Sequence, residues 1–507
     1  MAMRATTSDP EHDDDGAHNQ VPRPNLPFPY LARDVLDVTL LIIPCLQPDS
    51  HGEIATPGKQ PLPSSPKDHS PMASLAERVA QLALLTFNSL PPKCKPRTLP
   101  DGTTEWTPMS AVILAQEGHD APLACVSLAT GTKCLSASAL PRCKGLVVHD
   151  SHAEILALRG FNRWILSEVE AILRDPTYRS PYLDISHRDD TGKASGCPFR
   201  LKDHVTIHFF STEAPCGDAS MEILMDSLPS GNTKPWPVDN NIATLLQGRG
   251  YFSLLGHVRR KPARGDAEQS GSKSCTDKIA IKQFTSILSF PADLFVEKTP
   301  NAYVKTVVVY ADKYHPGGYQ RAFGSGGRLS PLRKAGNFFT VAPLPVDFGR
   351  FAFERRLQSS VDSTQAKCKT SNVSAIWVHA ADINRRNVVE VLINGVKQGY
   401  RQWDERSTKA SIVSRKELWA VGARLSGHLE NLNIVDDPSG ELDQESTGCN
   451  TTIQKTLSAT TYQEAKLSAL RIPHQISKER VTDTLGNWTK NTGDGDWTCG
   501  LPDHQIR

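Results

Sequence analysis

A histidine and a glutamate stand two apart in His152-Ala153-Glu154, and Pro215-Cys216-Gly217 follows at a distance. Positions i and i+2 do not share a face of a regular helix. The two side chains converge only at a helix start, where Glu154 can reach forward. Asp150 or Ser151 can cap such a helix, and Ile155, Leu158 and Trp164-Ile165 give it an apolar face. Cys216 also follows a strand-like run, and Pro215 fits the first helical position. There the helix dipole favours a thiolate, the metal-binding form. Either fragment alone arises by chance, as a solvated helix start or a buried small residue. Used together, they need two strand-to-helix junctions at one sheet edge, which argues for a mixed α/β layer fold.

The remaining patterns agree. Ser74-Leu75-Ala76-Glu77 is a capping box, followed by Leu75, Val79, Leu82 and Leu85 on one face. Strands are expected at 121–129, at His204–Phe210 and at Tyr303–Tyr310. Helices are expected at Ser151–Arg174, from Pro215 to about Ser227, at Asp277–Leu288, at Lys416–Leu432 and at Thr460–Leu470. Residues 1–72 are rich in Asp, His, Pro and Ser without a period, and are expected to be disordered. Residues 73–491 read as one elaborated domain with polar insertions near 176–200, 355–372 and 433–456, and 492–507 as a tail.

Net charge is 57 − 55 = +2, so contacts to nucleic acid must come from local patches. The eleven cysteines have no framework spacing. No signal peptide is visible, and the apolar run Leu36–Leu46, broken by Asp37 and Pro44, is too short for a bilayer. A reducing cytoplasmic or nuclear setting is expected, not secretion, with no membrane and no evident obligate protein partner.

His-x-Glu followed by Pro-Cys belongs to the signature of zinc-dependent nucleobase deaminases. That signature continues Cys-x-x-Cys, whereas here Ala219 stands three after Cys216. A catalytic zinc needs three protein ligands plus water. Cys275 stands before a helical pattern, but periodicity alone does not prefer it over Cys125, Cys134 or Cys143. His-Glu-x-x-His of zinc peptidases does not occur.

Several further motifs resemble those of the eukaryotic adenosine deaminases acting on RNA, and most closely the tRNA-specific branch. They are Gly131-Thr132-Lys133-Cys134, Asp150-Ser151-His152-Ala153-Glu154, Pro215-Cys216-Gly217-Asp218, Ser274-Cys275-Thr276-Asp277-Lys278-Ile279-Ala280, Tyr462-Gln463-Glu464-Ala465-Lys466 and Leu485-Gly486-Asn487-Trp488. Arg259-Arg260-Lys261-Pro262-Ala263-Arg264-Gly265-Asp266 resembles the basic stretch of the tRNA enzymes. Residues 1–72 contain none of the RNA-binding modules of the messenger-RNA editors.

The resemblance implies a cytidine-deaminase-like three-layer α/β/α sandwich, elaborated with extra helices and insertions. It implies hydrolytic deamination of adenosine to inosine, at adenosine 37 of tRNA-Ala, with zinc on His152, Cys216 and Cys275 and Glu154 moving protons. The partner implied is a tRNA anticodon stem-loop. Thr132, Lys133, Arg259, Arg260, Lys261 and Arg264 are the implied RNA contacts. An inositol hexakisphosphate is implied at Arg159, Lys278, Tyr462, Lys466, Trp488 and Lys490, with Lys397 and Lys416 as further candidates. Lys278, partnered by Asp150, would connect the zinc and inositol-phosphate sites. Leu158, Ile281 and Lys282 depart from the family pattern around that ligand. The alternatives are an editor of another RNA such as messenger RNA, and a non-catalytic tRNA- or inositol-phosphate-binding paralogue.

Overall fold

Eight strands form one sheet: β1 (Met109–Gln116), β2 (Leu123–Thr130), β3 (Val205–Ser211), β4 (Val304–Val309), β5 (Thr340–Pro343), β6 (Ser374–Val378), β7 (Val388–Ile393) and β8 (Val396–Lys397). Their spatial order is β5-β4-β3-β1-β2-β6-β7-β8. β3, β4 and β5 run parallel, and every other neighbouring pair is antiparallel. The computed structural model describes residues 73–118, 121–186, 196–227, 246–247, 254–261, 268–355, 367–381, 386–434 and 444–499. The expected disordered segment 1–72 lies outside the described residues, as do parts of all three expected insertions.

Helices cover both faces. They are α1 (Leu75–Asn88), α2 (Ala153–Arg174), α3 (Met221–Asp226), α4 (Cys275–Thr285), α5 (Pro316–Phe323), α6 (Arg415–Ser426), α7 (Gln444–Leu457), α8 (Tyr462–Lys466) and α9 (Ile472–Leu485). β1 is apolar nearly throughout because both of its faces are covered. Met109, Ala111 and Ile113 pack with Val79, Ala83 and Phe87 of α1. Val112 and Leu114 face the other way, against Phe161, Trp164 and Ile165 of α2. The result is three layers, α/β/α, as the sequence resemblance implied. Truncating the fully buried Trp164 to alanine would cost about 3–5 kcal/mol. No described helix is long and apolar enough to cross a membrane.

Two expectations are corrected. Residues 433–456 are not simply a polar insertion, since α7 lies within them and seats Ile453 and Leu457 in the core. The tail expected from 492 is packed as far as Trp497, whose ring stacks on Tyr462 at 4.7 Å.

Candidate metal centre and cationic basin

His152 is the N-cap of α2 and pairs with Thr132 across a short hairpin of Thr132–Cys134 and Asp150–His152. Gly131, at φ +140, lets that hairpin close, because a Cβ there would lie 2.2 Å from the Ser151 carbonyl oxygen. Cys216 sits before α3, not inside a helix. Gly217, at φ +114, turns the chain first, and a Cβ on it would lie 2.3 Å from Ser274 Oγ. This delays the helix expected from Pro215 to Met221. Cys275 opens α4, whose N-cap Ser274 accepts from the Asp277 amide.

These three starts converge. His152 Nδ1 lies 3.8 Å from Cys216 Sγ and 3.6 Å from Cys275 Sγ. A tetrahedral zinc ion would separate its nitrogen and sulfur ligands by about 3.6 Å. Cys216 deprotonates readily, because Cys275 donates towards it and Lys261 stands near. Burial, and then the Cys216 thiolate, push Cys275 up. Two adjacent cysteine sulfurs beside an imidazole are a donor set suited to a divalent cation. Glu154, in the first turn of α2, is buried, and its Oε2 has no hydrogen-bond partner among the described residues. Burial, and then the Cys216 thiolate, raise its pKa. A carboxyl so placed can take and return a proton.

Beneath the centre lies Asp150. Lys261 Nζ donates to its two oxygens at 2.9 and 2.7 Å, Ser272 Oγ donates at 3.0 Å, and Lys278 donates to it as well. Burial alone would raise this carboxyl, but Lys261 and Lys278 hold it well below the usual range. Lys261 also lies 3.4 Å from Cys275 Sγ. Lys261 and Arg259 were expected to face RNA, and the structure corrects both. Lys261 is spent inward on Asp150, and Arg259 is buried with its amide on Asp277 and a guanidinium N–H on the Leu254 carbonyl. Arg260 is half-buried, Thr132 and Lys133 stay beside His152, and Arg264 lies outside the described residues.

A second charged region adjoins the first. Arg159, Arg415, Lys466 and Lys478 are half-buried around Tyr462. Burial, then Arg415, Lys478, Arg471 and Arg159, hold Lys466 well below an ordinary lysine. Neither Lys466 nor Lys478 forms a salt bridge among the described residues. Lys273 stands over the Trp488 ring at 5.4 Å, its pKa lowered to about 8 by burial and then by Lys278. Lys490 is exposed nearby and repels Lys478. Arg159, Tyr462 and Lys466 thus lie together, with Lys278 and Trp488 at the margin. Arg415, Lys478 and Lys273 were not foreseen. Arg415 lies beside Tyr462 and Asp494, and Lys397 lies on the edge strand β8.

Cys143, His149 and Asp494 also cluster. Arg415 already occupies the cationic place there, 3.3 Å from Asp494, and His149 Nε2 lies 2.7 Å from the same oxygen. This cluster ties residues 493–497 to the loop before the hairpin.

The sequence profile of the adenosine-deaminase (editase) domain matches residues 127–492. The chain is 34% identical over 366 residues to tRNA-specific adenosine deaminase 1 of Schizosaccharomyces pombe, covering 71% of this chain and 88% of that protein. It is 33% identical over 223 residues to tRNA-specific adenosine deaminase 1 of Saccharomyces cerevisiae, covering 42% and 54%. Against double-stranded RNA-specific editase B2 of Rattus norvegicus identity is 28% over 266 residues, covering 50% and 32%.

Proposed function

Since this chain belongs to the adenosine-deaminase (editase) domain family, we propose that it converts adenosine to inosine in tRNA, at adenosine 37 of tRNA-Ala. One observation carries this reading. His152, Cys216 and Cys275 present ligand atoms within 4.8 Å of one another, beside the buried Glu154 carboxylate, whose Oε2 has no hydrogen-bond partner among the described residues. The fit to relatives named for tRNA, along most of the fission-yeast protein, favours tRNA over the messenger-RNA editors.

His152, Cys216 and Cys275 would hold zinc. When bound, the ion supplies the Lewis acidity that makes water a nucleophile at neutral pH. Glu154 would accept a proton from the water on Oε2 and deliver it to adenine N1, then take the proton of the new C6 hydroxyl and pass it to the departing amino group, which leaves as ammonia. Water adds at C6 and ammonia leaves, so adenosine plus water gives inosine plus ammonia. The target base must leave its stack to reach C6. Thr132 and Lys133, on the strand paired with His152, would meet its ribose and phosphate. Arg260 and Arg264 are the remaining candidates for the anticodon-loop backbone.

The half-buried cations Arg159, Arg415, Lys466 and Lys478, with Lys278, Lys273 and Trp488 at the rim, suit a compact polyanion such as inositol hexakisphosphate. Charge-assisted hydrogen bonds would relieve their mutual repulsion. Asp150, between Lys261 and Lys278, connects this basin to the metal centre.

The deciding experiment incubates the purified chain with total tRNA from a strain lacking the modification and sequences for inosine. Inosine at adenosine 37 of tRNA-Ala is expected. Inosine elsewhere would move the substrate assignment, and none in any RNA would favour a binding-only protein.

A further inference from the structure

Each metal-side cysteine is followed two residues later by a fully enclosed aspartate, Asp218 after Cys216 and Asp277 after Cys275. A buried carboxylate is tolerated only when its oxygens are satisfied. Both receive an arginine from one short stretch of chain. Arg321, in α5, donates from Nε to Asp218 Oδ2 at 2.9 Å and from Nη2 to the Asp218 carbonyl at 2.9 Å. Its Nη1 and Nη2 also hold Glu222 of α3, at 2.5 and 3.1 Å. Arg328 donates from Nη1 to Asp277 Oδ1 at 2.6 Å.

The two arginines are joined, because the Arg328 amide donates to the Arg321 carbonyl at 2.9 Å. A single turn therefore grips the backbone behind both cysteines. The cysteine loops also touch directly. The Thr276 amide donates to the Cys216 carbonyl at 3.0 Å, and Thr276 Oγ1 donates to the Pro215 carbonyl at 3.0 Å. Those contacts set one edge of the junction, and the arginine turn sets the other. A planar guanidinium fixes direction as well as distance, which an ammonium does not. Groups that hold ligand-bearing backbone tune a metal site without touching the metal.

We propose that Arg321 and Arg328 form one clamp that sets the spacing of Cys216 and Cys275, and with it the affinity and geometry of the zinc site. They are positioning residues, and the inference rests on the zinc reading above. Both arginines come from a turn remote in sequence from every motif of the centre.

The test uses the full chain, metal-free and metal-loaded. The variants are Arg321→Gln, Arg328→Gln, the double Gln variant, Arg321→Lys and Arg328→Lys, with Arg350→Gln as a surface control. Zinc affinity is read by chelator competition, ligand geometry by the absorption of the Co²⁺-loaded protein, and stability by the zinc-induced rise in Tm. Each Gln variant should bind zinc about 10- to 100-fold more weakly, with altered Co²⁺ bands and a smaller zinc-induced rise. The Lys variants should recover part of the affinity. The double variant should be no weaker than the worse single one, as one clamp requires.

The clamp is overturned by a folded Gln variant whose zinc affinity stays within about twofold of the unsubstituted chain. Equal falls in Tm with and without zinc would also overturn it, as would failure of both the Gln and Lys variants to fold, since either marks a purely structural role. If the unsubstituted chain binds no stoichiometric zinc, the zinc reading itself fails, and that outcome is visible before any variant is made.

Discussion

The metal centre and the cationic basin share a helix, yet their charges are balanced in opposite ways. Glu154 and Arg159 lie about one and a half turns apart on α2. At the metal edge the buried aspartates each have a basic partner: Asp150 has Lys261 and Lys278, Asp218 has Arg321, and Asp277 has Arg328. The two thiols and the imidazole are held ready by groups that already satisfy one another. In the basin, by contrast, Lys466 and Lys478 form no salt bridge among the described residues and meet Arg415 and Arg159 as like charges, with Asp494 balancing Arg415 alone. On the proposed function, the first region would accept its ion with its charges already paired, and in the second an anion would relieve repulsion between cations, so that binding there would also supply stability.

The largest effect should come from Glu154, a buried acid at the metal edge whose Oε2 has no hydrogen-bond partner among the described residues. Glu154→Gln should lower single-turnover inosine formation by about 10²- to 10⁴-fold, the usual share of a proton-transferring side chain. Zinc content and tRNA affinity should stay near those of the unsubstituted chain. Loss of zinc together with turnover would show that Glu154 belongs to the structural balance of the edge and not to the chemistry.

A smaller effect tests the border between the regions. His149 lies just before the hairpin and beside Arg415. Burial first, and then Arg415, push its pKa down to about 4. A histidine depressed in the fold favours the folded state above its unfolded pKa, near 6.5, and that contribution is lost as pH falls from there towards about 4. The loss amounts to about 3 kcal/mol. His149→Asn should therefore flatten urea-unfolding stability between pH 6.5 and 4 relative to the unsubstituted chain. Added polyanion should offset Arg415, raise the His149 pKa and shrink the same slope. An unchanged slope with polyanion would separate the regions electrostatically.

Much of this was legible from local pattern. The Ser74 capping box forms with both of its reciprocal bonds. The β-branched runs became β3 and β4, and Lys278 meets Asp150 as the motif implied. The centre was legible because His152, Glu154 and Cys275 sit at helix starts and Cys216 at a glycine turn, where short motifs fix backbone geometry. What escaped depends on pairing between distant segments. Lys261 reads as one cation of a basic surface loop. Its amide donates to the Ser272 carbonyl, and the Ser274 amide donates to the Arg259 carbonyl, so the strand turns Lys261 inward onto Asp150. Arg415 and Lys478 reach the basin from α6 and α9, elements joined only through tertiary packing. The late start of α3 follows from the Gly217 turn, which outweighs the helix preference of Pro215.

The smallest effect is the most discriminating, because its sign differs between the two regions. Lys466→Met removes a cation from a site where cations repel, and leaves a flexible apolar stem of similar size. Without polyanion the variant should be more stable than the unsubstituted chain, on the order of 1 kcal/mol, since a half-buried charge without a partner no longer has to be accommodated. With inositol hexakisphosphate present the order should reverse, because the variant has lost a charge-assisted contact and its ligand-induced rise in Tm should shrink. A matched substitution at the metal edge, Lys261→Met, should destabilise under both conditions by removing the lysine that donates to both oxygens of buried Asp150. Thermal melts of the two variants with and without ligand give the four values needed. If Lys466→Met destabilises the ligand-free protein as Lys261→Met does, the basin is internally compensated like the metal edge, and the contrast between them falls.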